Sequence, residues 1–313
     1  MLAIIIGLVI GVGLPIQTSI NSRLKRSVGS PFMASLISFT FGTVFLALIT
    51  LFKDKTLFFS VKLLSDQPAW LWLGGIFGVI YLTSNILLFP KLGSVQTVIM
   101  PILGQIIMGL LIDNFGLFGS LSKPLSVTRL LGALLVLVGV IGAVSINGII
   151  EKRHNRILEK TQEQKSLIVW RLTGVIAGML SASQTAINGH LGIVLHSTVK
   201  AAFISFFVGV ITLLIIVLIL HPKFQLKRDN NKHNPWWMWI GGVIGAIFVL
   251  GNVYLVPIIG TGLAVVIVLV GLMIGSLLID QFGLFDSKRN PITLAQVLSL
   301  LVMIVGVTII RVL

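Results

Sequence analysis

The chain has 313 residues, of which 56% are hydrophobic and only 10% charged, a balance that excludes an ordinary soluble domain and points to an integral membrane protein. The formal net charge of +14 would suggest a nucleic-acid partner in a soluble protein, but here the basic residues sit in short stretches beside long apolar runs, where they report membrane orientation. The absence of cysteine excludes disulfides, zinc-thiolate sites and cysteine nucleophiles.

About 20 apolar residues cross a bilayer as a helix. The first such run, near 2 to 20, carries Gly7, Gly11, Pro15 and Gln17 and leads into Asn21. It lacks the basic start of a signal peptide, and its polar residues recur in an internal run, so it is expected to stay in place as a span. The second run, near 31 to 52, is followed by Lys53 and Lys55. The third, near 69 to 89, opens with Trp70 and Trp72 as interfacial anchors, has Gly74 and Gly78 at close-packing spacing, contains Asn85 and is expected to end at Pro90. The fourth, near 94 to 112, contains Gln105 and runs into Asp113, Asn114, Phe115 and Gly116, where a turn is expected; the fifth lies near 127 to 149. A polar, mixed-charge linker over 147–167 reads as a connector. Five more runs follow near 172 to 189, 199 to 220, 236 to 256, 262 to 279 and 292 to 311.

The second set repeats the first without a gap at an offset of 167 residues. Gln17 and Asn21 fall on Gln184 and Asn188, Trp70 and Gly74 on Trp237 and Gly241, Asn85 and Pro90 on Asn252 and Pro257, and Asp113 on Asp280. The domains are therefore 1–146 and 168–313. Because each copy has five spans, the second enters the membrane from the opposite side, so the fold class is all-α with ten transmembrane helices in two inverted five-helix repeats. Of the 23 Lys and Arg, sixteen fall on one side of this layout, which puts the linker in the cytoplasm and both termini outside. Inverted repeats of this kind recur in secondary transporters and also in channels.

No Asp, Glu, Lys or Arg lies near the middle of any span, so the shared carboxylate expected of a drug/proton antiporter is missing. The embedded polar groups are Gln17, Asn21, Asn85, Gln184, Asn188 and Asn252, with Gln105 alone because its counterpart is Leu272. Gln17 and Asn21 share one helix face, as do Gln184 and Asn188. Two readings fit: these amides line a central substrate path, or they hydrogen-bond between helices, each bond worth about 1 kcal/mol. Asp113 and Asp280 are candidates for gating or coupling, or are interfacial carboxylates beside the turns at Gly116 and Gly283. Pro15 faces Ala182 in the alignment, so any kink is expected in one copy only. His190, His196, His221 and His233 lie at or beyond span ends without metal-ligand spacing, and no phosphate loop is present, so no metal, cofactor or ATP site is expected.

The string Gly11, Gln17, Asn21 and Leu24, its repeat at Gly178, Gln184, Asn188 and Leu191, and the paired five-span copies resemble the YdcZ-like branch of the drug/metabolite transporter superfamily, in its fused two-copy form. The resemblance implies a bacterial inner-membrane exporter of small molecules. Relatives in the small multidrug resistance group carry a Glu in the first span, where this chain offers Gln17 and Gln184, so proton-coupled cation export does not carry over. The amides hold no charge, and the substrate is expected to be neutral or zwitterionic, a metabolite or drug-like compound. Expected partners are membrane lipids and that small molecule, not nucleic acid, and a fused pair is expected to work as a monomer. A channel, a lipid-translocating protein and a non-transporting scaffold are the competing readings; an enzyme is not expected, since no catalytic arrangement lies within the spans.

Overall fold

The computed structural model describes residues 2–152, 162–224, 226, 234–285, 289 and 291–312, of which 89–99, 143–152, 162–167 and 311–312 are described by their backbone. Residues 153–161 of the linker lie outside the described residues, as does His233. The first copy contains α1 (Leu2–Val28), α2 (Pro31–Asp54), the short α3 (Lys62–Asp66), α4 (Gly74–Phe115) and α5 (Val127–Lys152). The second contains α6 (Gln162–Val194), α7 (Thr198–Leu220), α8 (Gly241–Ile259), α9 (Thr261–Phe282) and α10 (Leu294–Val312). No strand occurs among the described residues, and the protein is an all-α integral membrane protein.

The same local signals start equivalent helices. Ser30 accepts a hydrogen bond from the Met33 N–H at the start of α2, with Pro31 in the first turn, and its counterpart Ser197 accepts from Lys200 N–H at the start of α7. Gly116 and Gly283, at φ of 61° and 62°, end α4 and α9 in the left-handed conformation that favours glycine, as expected at both turns. α1 runs through Pro15, whose ring packs on Gly275.

α4 keeps a helical backbone over 42 residues, but it folds back on itself. Gln105 Nε2 lies 3.1 Å from the Tyr81 hydroxyl, whereas a straight helix would separate these residues by about 36 Å. Leu88 and Met100 both lie against Gly174. The reversal falls within 89–99, and the halves Gly74–Leu88 and Met100–Phe115 serve as the third and fourth spans. Pro90 therefore does not end the helical run as expected; the backbone stays helical while it turns. In the second copy the equivalent break is clean, at Gly260 with φ of 84°, and α8 continues two residues beyond Pro257.

The copies are inverted. Equivalent helices α2 and α7 pack antiparallel, with Gly42 against Phe206 and Gly209 against Phe39. α5 and α10 do the same, Gly132 meeting Ile310 and Gly142 meeting Ser299. The core is built between copies: α1 lies on α8 and α9, and α6 lies on both halves of α4. α9 is the central helix, with 78% of its span buried against 28% to 44% for the other four long apolar spans. Exposed leucines, valines and phenylalanines such as Val9, Leu48, Val138, Leu218 and Leu301 cover the outer faces of α1, α2, α5, α7 and α10, a surface suited to lipid.

Candidate functional site

Four of the six amides form two mirrored groups, each seating one copy's first span on the glycines of the other copy's third, where Asn85 and Asn252 also lie. A Cβ added at Gly245 would collide with the Gln17 amide, and one at Gly241 would collide with Asn21 Oδ1. In the mirror image, Gly78 receives Gln184 and Gly74 receives Asn188. The glycine pairs read as close-packing motifs are thus the seats of the amide pairs, matched because both motifs have a spacing of four and the helices run antiparallel.

Hydrogen bonding separates the amides further. Asn21 and Asn188 are each 1% exposed, yet both side-chain polar atoms of Asn21, and Oδ1 of Asn188, have no hydrogen-bond partner among the described residues, and neither does Oδ1 of Asn85. A buried unpaired amide atom costs about 1–3 kcal/mol, so Asn21 is not acting as interhelical glue in this conformation, nor is the Asn188 oxygen. Asn252 donates to Phe248 O of its own helix at 3.0 Å. Asn85 lies one turn from Tyr81 on the first half of α4. Gln17 and Gln184 are buried.

Asp113 and Asp280 occupy equivalent positions in different surroundings. Asp113, 0% exposed, accepts from Arg129 Nη2 at 2.7 Å and from the Gly262 N–H at 3.0 Å. Arg129 Nη1 reaches Lys123 O at 2.5 Å, Lys123 Nζ reaches Ile259 O at 2.7 Å, and the Ser120 and Thr261 hydroxyls share a bond of 2.8 Å. This cluster fastens the end of the first copy's fourth span to the break between α8 and α9. At the opposite end Arg129 is replaced by Gln296, which instead accepts from Thr293 N–H at 2.8 Å and closes a capping box on α10. Asp280 is half-buried and has no such cluster around it among the described residues.

Sequence reasoning missed Arg129, Lys123, Ser120, Thr261 and Gly262, because the two cations were counted only as orientation charges. The available signal was loss of repeat symmetry, Arg129 facing Gln296. It also took Trp70 and Trp237 as anchors alone; each packs edge-on against the phenylalanine of the repeated turn, Phe118 and Phe285, at 5.5 Å in both copies.

The family described as "Putative inner membrane exporter, YdcZ" matches residues 2–142 and again 169–309, once for each copy. The chain belongs to the YdcZ family. It is similar to the inner membrane protein YdcZ of Escherichia coli (strain K12), 26% identical over 129 residues, an alignment covering 41% of this chain and 85% of that protein. A solved crystal structure superposes at a TM-score of 0.65 and 16% identity, covering 98% of this chain and 94% of its own, which speaks for the fold alone. The protein is accordingly a multi-pass inner membrane protein of an exporter family.

Proposed function

We propose that this YdcZ-family protein is a secondary transporter that exports a small neutral or zwitterionic metabolite or drug-like compound by alternating access between its inverted repeats, acting as a monomer in the lipid bilayer. The observation that carries this reading is the mirrored pair of buried amides at Asn21 and Asn188, whose Oδ1 atoms, with Nδ2 of Asn21, have no hydrogen-bond partner among the described residues. Such groups are stabilised by a ligand, or by a second packing of the same helices, that supplies the missing bonds. Gln17, Asn21, Asn85, Gln184, Asn188 and Asn252 form the substrate surface. Asp113 is the gate residue of one end and Asp280 of the other.

The asymmetry of the two ends supports a single closed gate. The Asp113 cluster ties both copies together at one end, and its counterpart at the Asp280 end lacks the arginine. With the linker in the cytoplasm and the termini outside, as the Lys and Arg distribution predicts, the closed end is the outer one and this conformation faces inward.

The chain has no native cysteine, so single cysteines report access cleanly. Gln17→Cys and Gln184→Cys are labelled in membranes with an impermeant thiol reagent from each side. Gln17→Cys is expected to label from the linker side, and Gln184→Cys to become labelled from the other side when Asp113→Asn or Arg129→Gln removes the ion pair. Removing one partner of a buried pair costs about 3–5 kcal/mol, enough to shift a gate held by this cluster. Positions 17 and 184 unreactive in every background would reduce the amides to packing groups.

A further inference from the structure

Residues that only hold an inverted repeat together are expected to serve equally in both copies, so a polar group present in one copy and apolar in the other is dispensable to the fold. More than one cluster meets this test: the Ser35 and Thr83 hydroxyls share a bond of 3.2 Å where the second copy has Ala202 and Leu250, and these two satisfy each other; another lies next to a cation. Gln105 donates through Nε2 to the Tyr81 hydroxyl at 3.1 Å and to Ser181 Oγ at 3.4 Å, joining both halves of α4 to α6. The equivalent positions are Leu272, Phe248 and Leu14. Gln105 and Ser181 are 6% and 5% exposed, and Asn85 extends the cluster by one turn.

Lys25 reaches the backbone next to this cluster, at Ile86, the residue after Asn85. It continues the face of Gln17 and Asn21 by another turn of α1, where the second copy has Gly192 after Gln184 and Asn188. Its ammonium lies 3.3 Å from Ile86 O, a carbonyl that Pro90, lacking an N–H, cannot bond. That carbonyl does not require a cation: Pro257 frees the equivalent Val253 carbonyl, and Gly192 sits there against the Val253 side chain with no charge to offer. No carboxylate pairs with Lys25 among the described residues. An ammonium has three donors, so two remain after the Ile86 contact.

We propose that Lys25, Tyr81, Asn85, Gln105 and Ser181 form a one-sided binding site, opened as the helices move, for a carboxylate-bearing solute, zwitterions included. Lys25 pairs the carboxylate, and the Tyr81, Gln105 and Ser181 cluster bonds a polar group deeper in the membrane. The site lies at the end opposite the Asp113 cluster, which is the end where an exporter collects its substrate. This inference rests on the transporter reading and changes its substrate class: within the neutral or zwitterionic solutes it selects zwitterions, and it extends the class to carboxylate anions.

The test uses purified full-length protein and matched probes, each a carboxylate and its primary amide: leucine and leucinamide, phenylalanine and phenylalaninamide, lactate and lactamide, benzoate and benzamide. Thermal unfolding is followed against concentration. At least one acid is expected to stabilise the wild type while its amide does not. Lys25→Gln, which can still donate to Ile86 O, is expected to weaken that acid at least about ten-fold, with Lys25→Arg restoring much of it. Tyr81→Phe with Gln105→Leu, the residues already tolerated at 248 and 272, is expected to weaken it several-fold. Stabilisation by none of the acids, equal stabilisation by an amide, or an unchanged response in Lys25→Gln overturns the site. The cysteine-labelling result separates the failures: side-dependent labelling at 17 and 184 without acid binding sinks only the site, whereas unreactive positions sink the transporter reading with it.

Discussion

At the residue scale, the strongest constraint is the seating of amides on glycines. A methyl at Gly241 or Gly74 would press on the Asn21 or Asn188 amide oxygen, whereas one at Gly178 would meet the Pro101 carbonyl and backbone of α4, which cannot rotate away. Gly178→Ala is therefore expected to lower stability by about 2–3 kcal/mol, and Gly241→Ala by about 1–2 kcal/mol. Adding Asn21→Ala is expected to recover part of the Gly241→Ala loss, while leaving Gly178→Ala unrelieved. Thermal unfolding in detergent of the two double variants measures this coupling. The amides were legible in the sequence because they recur at a fixed offset, as were the glycine pairs. That one seats the other was not read, although both have a spacing of four, because a helix pairing between copies is a tertiary fact. The bonding of the amides was even less accessible, since only packing shows that Asn252 is satisfied and Asn21 is not.

At the element scale, one motif gives two different structures. The third and fourth spans of the second copy are separated by Gly260, whose φ of 84° and ψ of 162° suit glycine almost alone, and the N–H of nearby Gly262 is held by Asp113. The equivalent stretch of the first copy turns back within a helical backbone. Gly260→Ala is expected to cost about 1–3 kcal/mol through backbone strain. A Cβ there would stand 3.5 Å from both Asp113 carboxylate oxygens, so the added atom itself meets open enough space and the strain is the main cost. The strain is relieved if the break opens, so Gly260→Ala is also expected to raise labelling of Gln184→Cys from the Asp113 side. A loss of stability with no change in labelling would separate the break from the gate. The span count and both left-handed turns were legible from apolar runs and the repeated Asp-(Asn/Gln)-Phe-Gly string. The differing breaks were not read, because Pro90 and Pro257, and Gly93 and Gly260, match; the local difference is Gly262 against Val95, since a Cβ at 262 would meet the Asp113 carboxylate that holds its N–H, and Arg129 against Gln296 adds a second.

At the scale of the whole molecule, inversion was the inference that an odd number of spans forces, and it has a geometric consequence outside the site. Equivalent helices of inverted copies must pack antiparallel, so contacts between α5 and α10 pair early residues of one with late residues of the other. A Cβ built at Gly142 lies 3.5 Å from Ser299 Cβ, within the range of a disulfide, while Gly132 faces Ile310 at the other end. Gly142→Cys with Ser299→Cys is expected to close quantitatively on mild oxidation, seen as loss of titratable thiol in a chain with no other cysteine. Gly132→Cys with Ser299→Cys is expected to stay reduced, and copies running in the same sense would reverse that outcome. Closing so long a loop is expected to stabilise the protein by about 2–4 kcal/mol. The bond lies at the linker end of α5, more than three turns from the Arg129 that this helix gives to the Asp113 cluster, and neither helix carries one of the six amides, so alternating labelling at positions 17 and 184 is expected to survive it. Loss of that labelling would mean that α5 and α10 move during the cycle, and that the repeats exchange conformation as whole units rather than around a fixed peripheral pair.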